Sequence, residues 1–311
     1  MPEPDALPVG PPSGAAAVAL VVNPSAAKGG AMTALPRVVG RLRDAGHPVE
    51  VLLSRSQAEA SALVDSAAAS GAEVLAVMGG DGMAHLGLNA VARRAAADAA
   101  SAPALALVPA GTGNDLARGL GIDPGDLDAA VATLAAGRTR SVDLLRVGER
   151  WVGTVVATGF DALVNARANR MRWPRGSARY TRAVLAELRT FRPLRYSLVV
   201  DGVERELEAM FVSIGNTTSF GGGLRICPQA DPYDGWLDVT IIHPVSRAKL
   251  LQLLPQMRTG RFAADPCVEQ LRARSVRVAR GAGTAYGDGE ELGATPIVVE
   301  LVPAALRVCL P

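Results

Sequence analysis

Three stretches of the chain combine glycine with residues that handle phosphate. They are Asn23-Pro24-Ser25-Ala26-Ala27-Lys28-Gly29-Gly30, Gly79-Gly80-Asp81-Gly82 and Pro109-Ala110-Gly111-Thr112-Gly113-Asn114-Asp115. Glycine lets a backbone approach a phosphate closely, and the N–H groups at a helix start favour an anion. Bare phosphate repels a carboxylate, so Asp81 implies either a metal ion between the two or a proton-transfer role, and magnesium is the metal implied. Any one of these loops is equally compatible with an ordinary strand-to-helix turn, where Gly, Asn and Asp are common. Three in series favour a phosphate site. Two rival motifs fail: a Walker loop needs its lysine after the glycines, whereas Lys28 precedes them, and a dinucleotide fingerprint on Gly111-x-Gly113 needs a third glycine where Leu116 stands.

Each loop follows a short apolar run. Candidate strands at Val18–Val22, Val49–Leu53, 74–77 and 104–108 alternate with helical patterns over 31–45, 57–70, 83–97 and 126–136. This alternation predicts a Rossmann-like parallel sheet covered on both faces, with ligands beyond the carboxyl ends of its strands, where the three loops gather. Past residue 141 the texture changes. Strand-like runs at 142–147, 151–157, 196–200, 203–208, 210–214, Leu237–Ile242, 276–279, 297–302 and 306–310 are joined by turns such as Asp201-Gly202, with helices near 178–189 and 246–257. The expected architecture is α/β: a flexible tail at 1–14, a parallel-sheet domain at 15–141, and a β-rich antiparallel, sandwich-like domain at 142–311. A cleft between the two domains is the default place for a site.

A length of 311 residues suits two domains, and 49% hydrophobic with 20% charged residues describes a globular chain rather than a disordered one. The net charge of +2 leaves attraction to nucleic acid or membrane to local clusters. One such cluster runs from Arg167 to Arg195: nine arginines and the single acid Glu187, with Trp173, Tyr180 and Phe191 interspersed. It suits an anionic membrane surface and equally a solvated helix face over core aromatics; no nucleic-acid module accompanies it. Cys227, Cys267 and Cys309 are far apart and form no Cys-x-x-Cys pair, which fits a reducing cytoplasm. His47, His85 and His243 show no metal-ligand spacing and read as structural or surface residues. The run Gly221-Gly222-Gly223 either brings backbone close to a substrate or forms a plain loop.

Two segments of the second half, Cys227-Pro228-Gln229-Ala230-Asp231-Pro232-Tyr233-Asp234-Gly235 and Asp288-Gly289-Glu290, complete a pattern with the three loops. Together they resemble the diacylglycerol kinase catalytic family, which includes sphingosine and ceramide kinases and is distantly similar to NAD kinases and phosphofructokinases. The resemblance extends from Val18 to Pro311. Through Ala157-Thr158-Gly159-Phe160-Asp161 and Asn169-Arg170-Met171-Arg172-Trp173-Pro174 it is closest to soluble actinobacterial diacylglycerol kinases.

That resemblance implies ATP- and magnesium-dependent phosphorylation of the diacylglycerol hydroxyl to phosphatidic acid, by a cytoplasmic enzyme peripheral to the inner face of the membrane. It implies that Asn23, Ser25, Ser54, Gly79, Gly80, Asp81, Gly82, Gly111, Thr112 and Asn114 serve the nucleotide. Asp81 and Glu290 are the catalytic expectations, with Glu290 as proton acceptor. The magnesium site maps near Asp231, Asp234 and Trp236, with a carboxylate expected only from Asp234 and backbone carbonyls from the other two. Departures from the family are Met83 for the usual threonine, Ala26-Ala27 for Ser-Gly or Ala-Gly, and Ser54 for threonine. Met83 removes a hydroxyl that could meet phosphate. An NAD kinase, a ceramide or sphingosine kinase, and a non-catalytic nucleotide- or lipid-binding relative stay open as readings. The partners expected are ATP and a lipid acceptor; nucleic acid is not among them, and homodimerisation is left open.

Overall fold

The computed structural model describes residues 16–171, 173, 177–189, 191–281 and 283–311. The tail expected at 1–14 lies outside the described residues, as do Arg172, Pro174 and Arg175 of the basic segment and the side chains of Arg179 and Tyr180. The first half runs β1 (Val18–Val22), α1 (Gly30–Asp44), β2 (Val49–Leu53), α2 (Gln57–Ala69), β3 (Val74–Gly79), α3 (Asp81–Ala97), β4 (Ala104–Pro109), α4 (Asp115–Gly119) and α5 (Leu127–Ala136). Every residue of β1, β3 and β4 is buried. β1 pairs in parallel with β2 and β3, and β3 with β4. Helices cover both faces of such a sheet, which is why these strands read as unbroken apolar runs rather than alternating ones. Helix starts are marked locally: Ser56 Oγ accepts the Glu59 N–H at 3.1 Å, and Asp126 Oδ1 accepts the Ala129 N–H at 2.9 Å.

The second half runs β5 (Thr139–Val147), β6 (Arg150–Val152), β7 (Val155–Ala157), α6 (Phe160–Arg170), α7 (Ser177–Leu188), β8 (Leu194–Val200), β9 (Val203–Ala209), β10 (Phe211–Gly215), β11 (Leu237–Ile242), α8 (Arg247–Met257), β12 (Val268–Ala273), β13 (Ser275–Arg280), β14 (Thr284–Gly287), β15 (Glu290–Ala294) and β16 (Ile297–Cys309). One sheet has the order β2-β1-β3-β4-β16-β13-β8-β9, with β5 and β6 branching from β16. The last strand therefore returns to the first half, where Val308 lies opposite Leu105 in parallel with β4. A second, antiparallel sheet has the order β12-β11-β10-β7-β14-β15. Leu145, Val152, Leu198 and Val276 of the first sheet share a core with Val156, Val212, Val239 and Ala285 of the second. An α/β half followed by a β-rich sandwich is the architecture the sequence predicts.

Two expected elements differ. The single strand over 151–157 is two strands in different sheets, because the chain crosses between sheets at Gly153 and Thr154. Both flanks are apolar, so the crossing leaves no mark in the hydrophobic pattern. The two runs at 297–302 and 306–310 form one strand, β16, whose register shifts between Val302 and Leu306.

Leu105 is fully buried on β4, between β3 and the returning β16. Leu105→Ala is expected to lower the unfolding free energy by about 3 kcal/mol through lost burial and a residual cavity, measured by urea denaturation.

Candidate functional site

The three glycine loops meet at the carboxyl ends of β1, β3 and β4. Asn23 Oδ1 accepts the Ser25 N–H at 3.1 Å and the Ser25 hydroxyl at 2.7 Å, closing the first loop. Ser54 donates its hydroxyl to the Val22 carbonyl at 3.1 Å. Gly80 and Gly111 are in backbone contact: a Cβ on Gly111 would lie 2.4 Å from Gly80 Cα. A Cβ on Gly113 would lie 2.3 Å from Asp81 Oδ2. Asp81, the first residue of α3, accepts the Asn114 N–H at 3.0 Å and the Asp115 N–H at 2.7 Å. Helix starts leave such amides without partners, so Asp81 both caps α4 and staples the second loop to the third. Asn114 is left-handed (φ 55°), and its side chain spans Gly111, accepting from its N–H at 3.1 Å and donating to its carbonyl at 2.9 Å.

Two cavities flank this junction. The first, about 760 Å³, is lined by Asn23, Ser25, Ser54, Gly80, Gly111 and neighbours. The second, about 370 Å³, lies between the halves and is lined by Asp115, Thr154, Asn165, Asn169, Phe220, Gly222 and Asp288 among others. Asp81, Gly82, Thr112 and Glu290 line both. Of the residues expected at the nucleotide, Gly79 and Asn114 stand outside the larger cavity. Asn114 is engaged with Gly111, and Gly79 is covered by Met83, whose Cγ lies 2.4 Å from where a Gly79 Cβ would be. Met83 is buried in the core of the first half, so the departure from threonine fills space beneath the loop.

Glu290 opens β15 directly after the left-handed pair Asp288 (φ 51°) and Gly289 (φ 85°). Asp288 anchors the turn. Its Oδ1 accepts the Thr154 N–H at 2.9 Å and hydroxyl at 2.6 Å; its Oδ2 accepts the Gly153 N–H at 3.0 Å and lies 3.3 Å from His85 Nδ1. Asn169 of α6 donates to the Gly289 carbonyl at 2.9 Å. Burial opposes charge on Asp288, but the His85, Thr154 and Gly153 donors prevail and hold its carboxyl below the usual range. For His85 burial likewise works against charge, and the Asp288 hydrogen bond with the charges of Asp288 and Glu290 outweighs it, raising the imidazole above its ordinary value. From sequence alone His85 reads as a structural or surface residue. It walls the smaller cavity, and the available signal was its position one helical turn after Asp81.

Asp115 joins the halves. Its Oδ2 accepts the Gly222 N–H at 2.8 Å and its Oδ1 the Gly223 N–H at 2.9 Å. Gly221, Gly222 and Gly223 all have positive φ (64°, 83° and 95°), a path that β-carbons would strain. Burial pushes the Asp115 carboxyl up to about 6, with the Asp81 charge adding to the effect and the two amides opposing it.

Asp231 and Asp234 lie in one acidic nest with two carboxylates the sequence reading did not single out. Asp143 on β5 accepts the Gly235 and Ala304 N–H groups, each at 2.8 Å. Asp238 on β11 has a buried Oδ2 without a hydrogen-bond partner, and burial pushes its carboxyl up to about 6. Burial also raises Asp143, and the charges of Asp231 and Asp234 act on both. Asp234 Oδ1 accepts the Trp236 N–H at 3.0 Å while Oδ2 pairs with Arg272; Asp231 accepts the Tyr233 N–H at 3.1 Å. The Trp236 ring lies beneath Arg274, 4.9 Å from its centroid. Hard oxygen donors and an unsatisfied buried carboxylate oxygen fit a hard cation such as magnesium. Among the described residues no three acidic or imidazole side chains surround one point, so carbonyls and water would supply the rest of the shell. Asn216 Nδ2 links this nest to the crossing, donating to the Asp143 carbonyl at 2.7 Å and the Gly153 carbonyl at 3.0 Å.

Among the described residues no helix is long and apolar enough to cross a membrane. Leu163 of α6, Leu185 of α7 and Trp173 between them are exposed at 44%, 51% and 73%. Arg182 lies 5.4 Å above the Trp173 ring, and Arg167 pairs with Glu187.

Residues 17–147 match the diacylglycerol kinase catalytic domain, and residues 154–310 match the YegS C-terminal NAD kinase beta sandwich-like domain. The chain is 40% identical over 300 residues to a diacylglycerol kinase of Mycobacterium tuberculosis (strain CDC 1551 / Oshkosh), covering 94% of this chain and 95% of that one. It is 31% identical over 288 residues to a Stenotrophomonas maltophilia (strain K279a) protein named "Probable lipid kinase YegS-like", covering 88% and 90%. The crystal structure of a diacylglycerol kinase from Bacillus anthracis str. Sterne shares the fold, with a TM-score of 0.75 at 23% identity over 95% of this chain and 97% of that one.

The Gly80–Gly111 contact leaves no space for a β-carbon, whereas a Cβ on Gly82 meets nothing within 4 Å. Gly111→Ala should therefore cost about 2 kcal/mol of stability by overpacking, and Gly82→Ala should cost nothing within about 0.5 kcal/mol; thermal unfolding of the two variants checks the contrast.

Proposed function

The chain belongs to the diacylglycerol kinase catalytic family, and on that premise we propose that it transfers the γ-phosphoryl group of ATP to the hydroxyl of a diacylglycerol, giving phosphatidic acid. One observation carries this reading: Glu290, with Asp81, Gly82 and Thr112, stands where the two cavities meet. The larger cavity takes ATP with its phosphates toward the loop amides, and the smaller takes the hydroxyl-bearing end of the lipid. Phosphoryl transfer needs the acceptor placed in line and its proton removed. Glu290 accepts that proton, and Asp288 holds the turn that aims it. Asp81 keeps the second and third loops in register through the Asn114 and Asp115 amides. Asp234, with the backbone carbonyls at Asp231 and Trp236, would hold magnesium, which when bound supplies positive charge beside Asp143 and Asp238. Exposed Leu163, Trp173 and Leu185 with the neighbouring arginines rest on the inner, anionic face of the membrane, beside the α6 residues Asn165 and Asn169 that line the acceptor cavity.

Labelled ATP with magnesium, offered diacylglycerol, ceramide, sphingosine and NAD in parallel, should label phosphatidic acid. Label in NADP alone, or in no product of well-folded protein, would overturn the reading. Glu290→Gln should lower kcat by at least about 100-fold while nucleotide affinity is retained.

Co-sedimentation should show stronger binding to anionic than to neutral vesicles, weakening with salt. Equal binding to both would remove the electrostatic part of the membrane contact.

A further inference from the structure

His85 is not accounted for by anchoring Asp288. That carboxylate already has three donors besides the imidazole: the Gly153 N–H and the N–H and hydroxyl of Thr154. The wall of the acceptor-side cavity carries four carboxylates, Asp81, Asp115, Asp288 and Glu290. Among the described residues lining it, His85 is the one side chain able to hold positive charge. A phosphoryl group in transit spreads negative charge over its three equatorial oxygens and meets repulsion in such a place unless a cation faces it.

The ring is oriented for that task. Nδ1–H of the imidazolium donates to Asp288 Oδ2 at 3.3 Å. Asn89 Nδ2 lies 3.4 Å from either ring nitrogen, but its two hydrogens serve the Trp151 carbonyl at 2.9 Å and the His85 carbonyl at 3.0 Å. Among the described residues Nε2 has no partner besides Asn89, and His85 lines the cavity. The charged groups that face the ring are Asp288 and Glu290 from the β14–β15 turn and Arg150 from β6. The two carboxylates together outweigh Arg150 and burial, so the imidazolium persists to higher pH than a free imidazole would allow.

We propose that His85, oriented by Asp288, is a catalytic residue that donates a charged Nε2–H hydrogen bond to the phosphoryl group as it passes to the acceptor oxygen. The inference rests on the kinase reading. In the step, the acceptor oxygen bonds to phosphorus and its proton moves to the Glu290 carboxylate. The bond from phosphorus to the bridging oxygen of ADP breaks, its electron pair leaving with ADP. His85 keeps its proton throughout.

The test compares kcat of the full chain and of His85→Gln on dioctanoylglycerol with ATP and magnesium, from about pH 5 to above pH 8. The wild type should lose kcat as pH rises through the imidazole midpoint. His85→Gln should have kcat on the order of 100-fold lower near neutrality, a little-changed KM for ATP, and no such alkaline limb. A variant that keeps the limb, or keeps kcat within about twofold, overturns the proposal. Should the variant fold poorly, NMR titration of the wild-type imidazoles decides, the His85 signal being identified by substituting His47 and His243 in turn. Its midpoint should rise further when a non-hydrolysable ATP analogue is added with magnesium, and an unmoved midpoint overturns the proposal. A wild-type chain that phosphorylates no acceptor defeats the kinase reading instead, and the titration still shows whether His85 meets nucleotide phosphate.

Discussion

The Asp288 carboxylate is the contact on which the site depends. A buried negative charge persists only where donors replace its water, and here they come from two separate elements. The Gly153 and Thr154 amides belong to the crossing between the two sheets, the Thr154 hydroxyl adds a third donor, and His85 belongs to α3 of the first half. Satisfying one carboxylate therefore brings α3, the sheet crossing and the β14–β15 turn together. The next side chain but one along that turn is Glu290.

The same logic of carboxylate and backbone amide recurs around the cleft. Asp81 takes the amides that open α4, and Asp115 takes two amides of the triple-glycine run from the second half. Asp143 takes amides from Gly235 and from Ala304 at the register shift of β16. These contacts orient backbone with little side-chain entropy at stake, since aspartate is short. They also have a pH consequence. Asp115 and Asp238 are both pushed up to about 6 by burial, so the native state holds more protons than the unfolded chain from the ordinary carboxylate value up to that point. Their contribution to stability falls as pH rises through that window and is least above it. A cation near Asp238 would oppose that loss.

Glycine acts at the contacts rather than through general flexibility. Gly80 and Gly111 touch through their backbones, Gly113 clears the Asp81 carboxylate, and Gly153 fits between Leu88 of α3 and Leu116 of α4. Each close approach removes a layer of side chain and lets the loop amides and both cavities converge on Asp81, Gly82, Thr112 and Glu290.

Much of this was legible in the chain. The fully buried parallel strands are unbroken apolar runs, the loops carry their glycines in sequence, and motif order implied the family. These are local signals: burial on both faces of a strand and tight turns each demand particular residue types at adjacent positions. What the sequence left out was set at a distance. His85 and Asp288 are 203 residues apart, Asp115 meets glycines more than 100 residues on, and Asp143 receives the amide of Ala304. The switch of sheets at Gly153 and Thr154 has no periodic signature because the residues on either side of it, Trp151, Val152, Val155 and Val156, are all apolar and buried. By itself the sequence determined the glycine loops and the fold class, since those follow from local backbone and burial. Only tertiary structure decided which carboxylates are stapled, which lack a partner, and which imidazole faces them, because an aspartate or histidine acquires its role from donors and charges that folding brings to it.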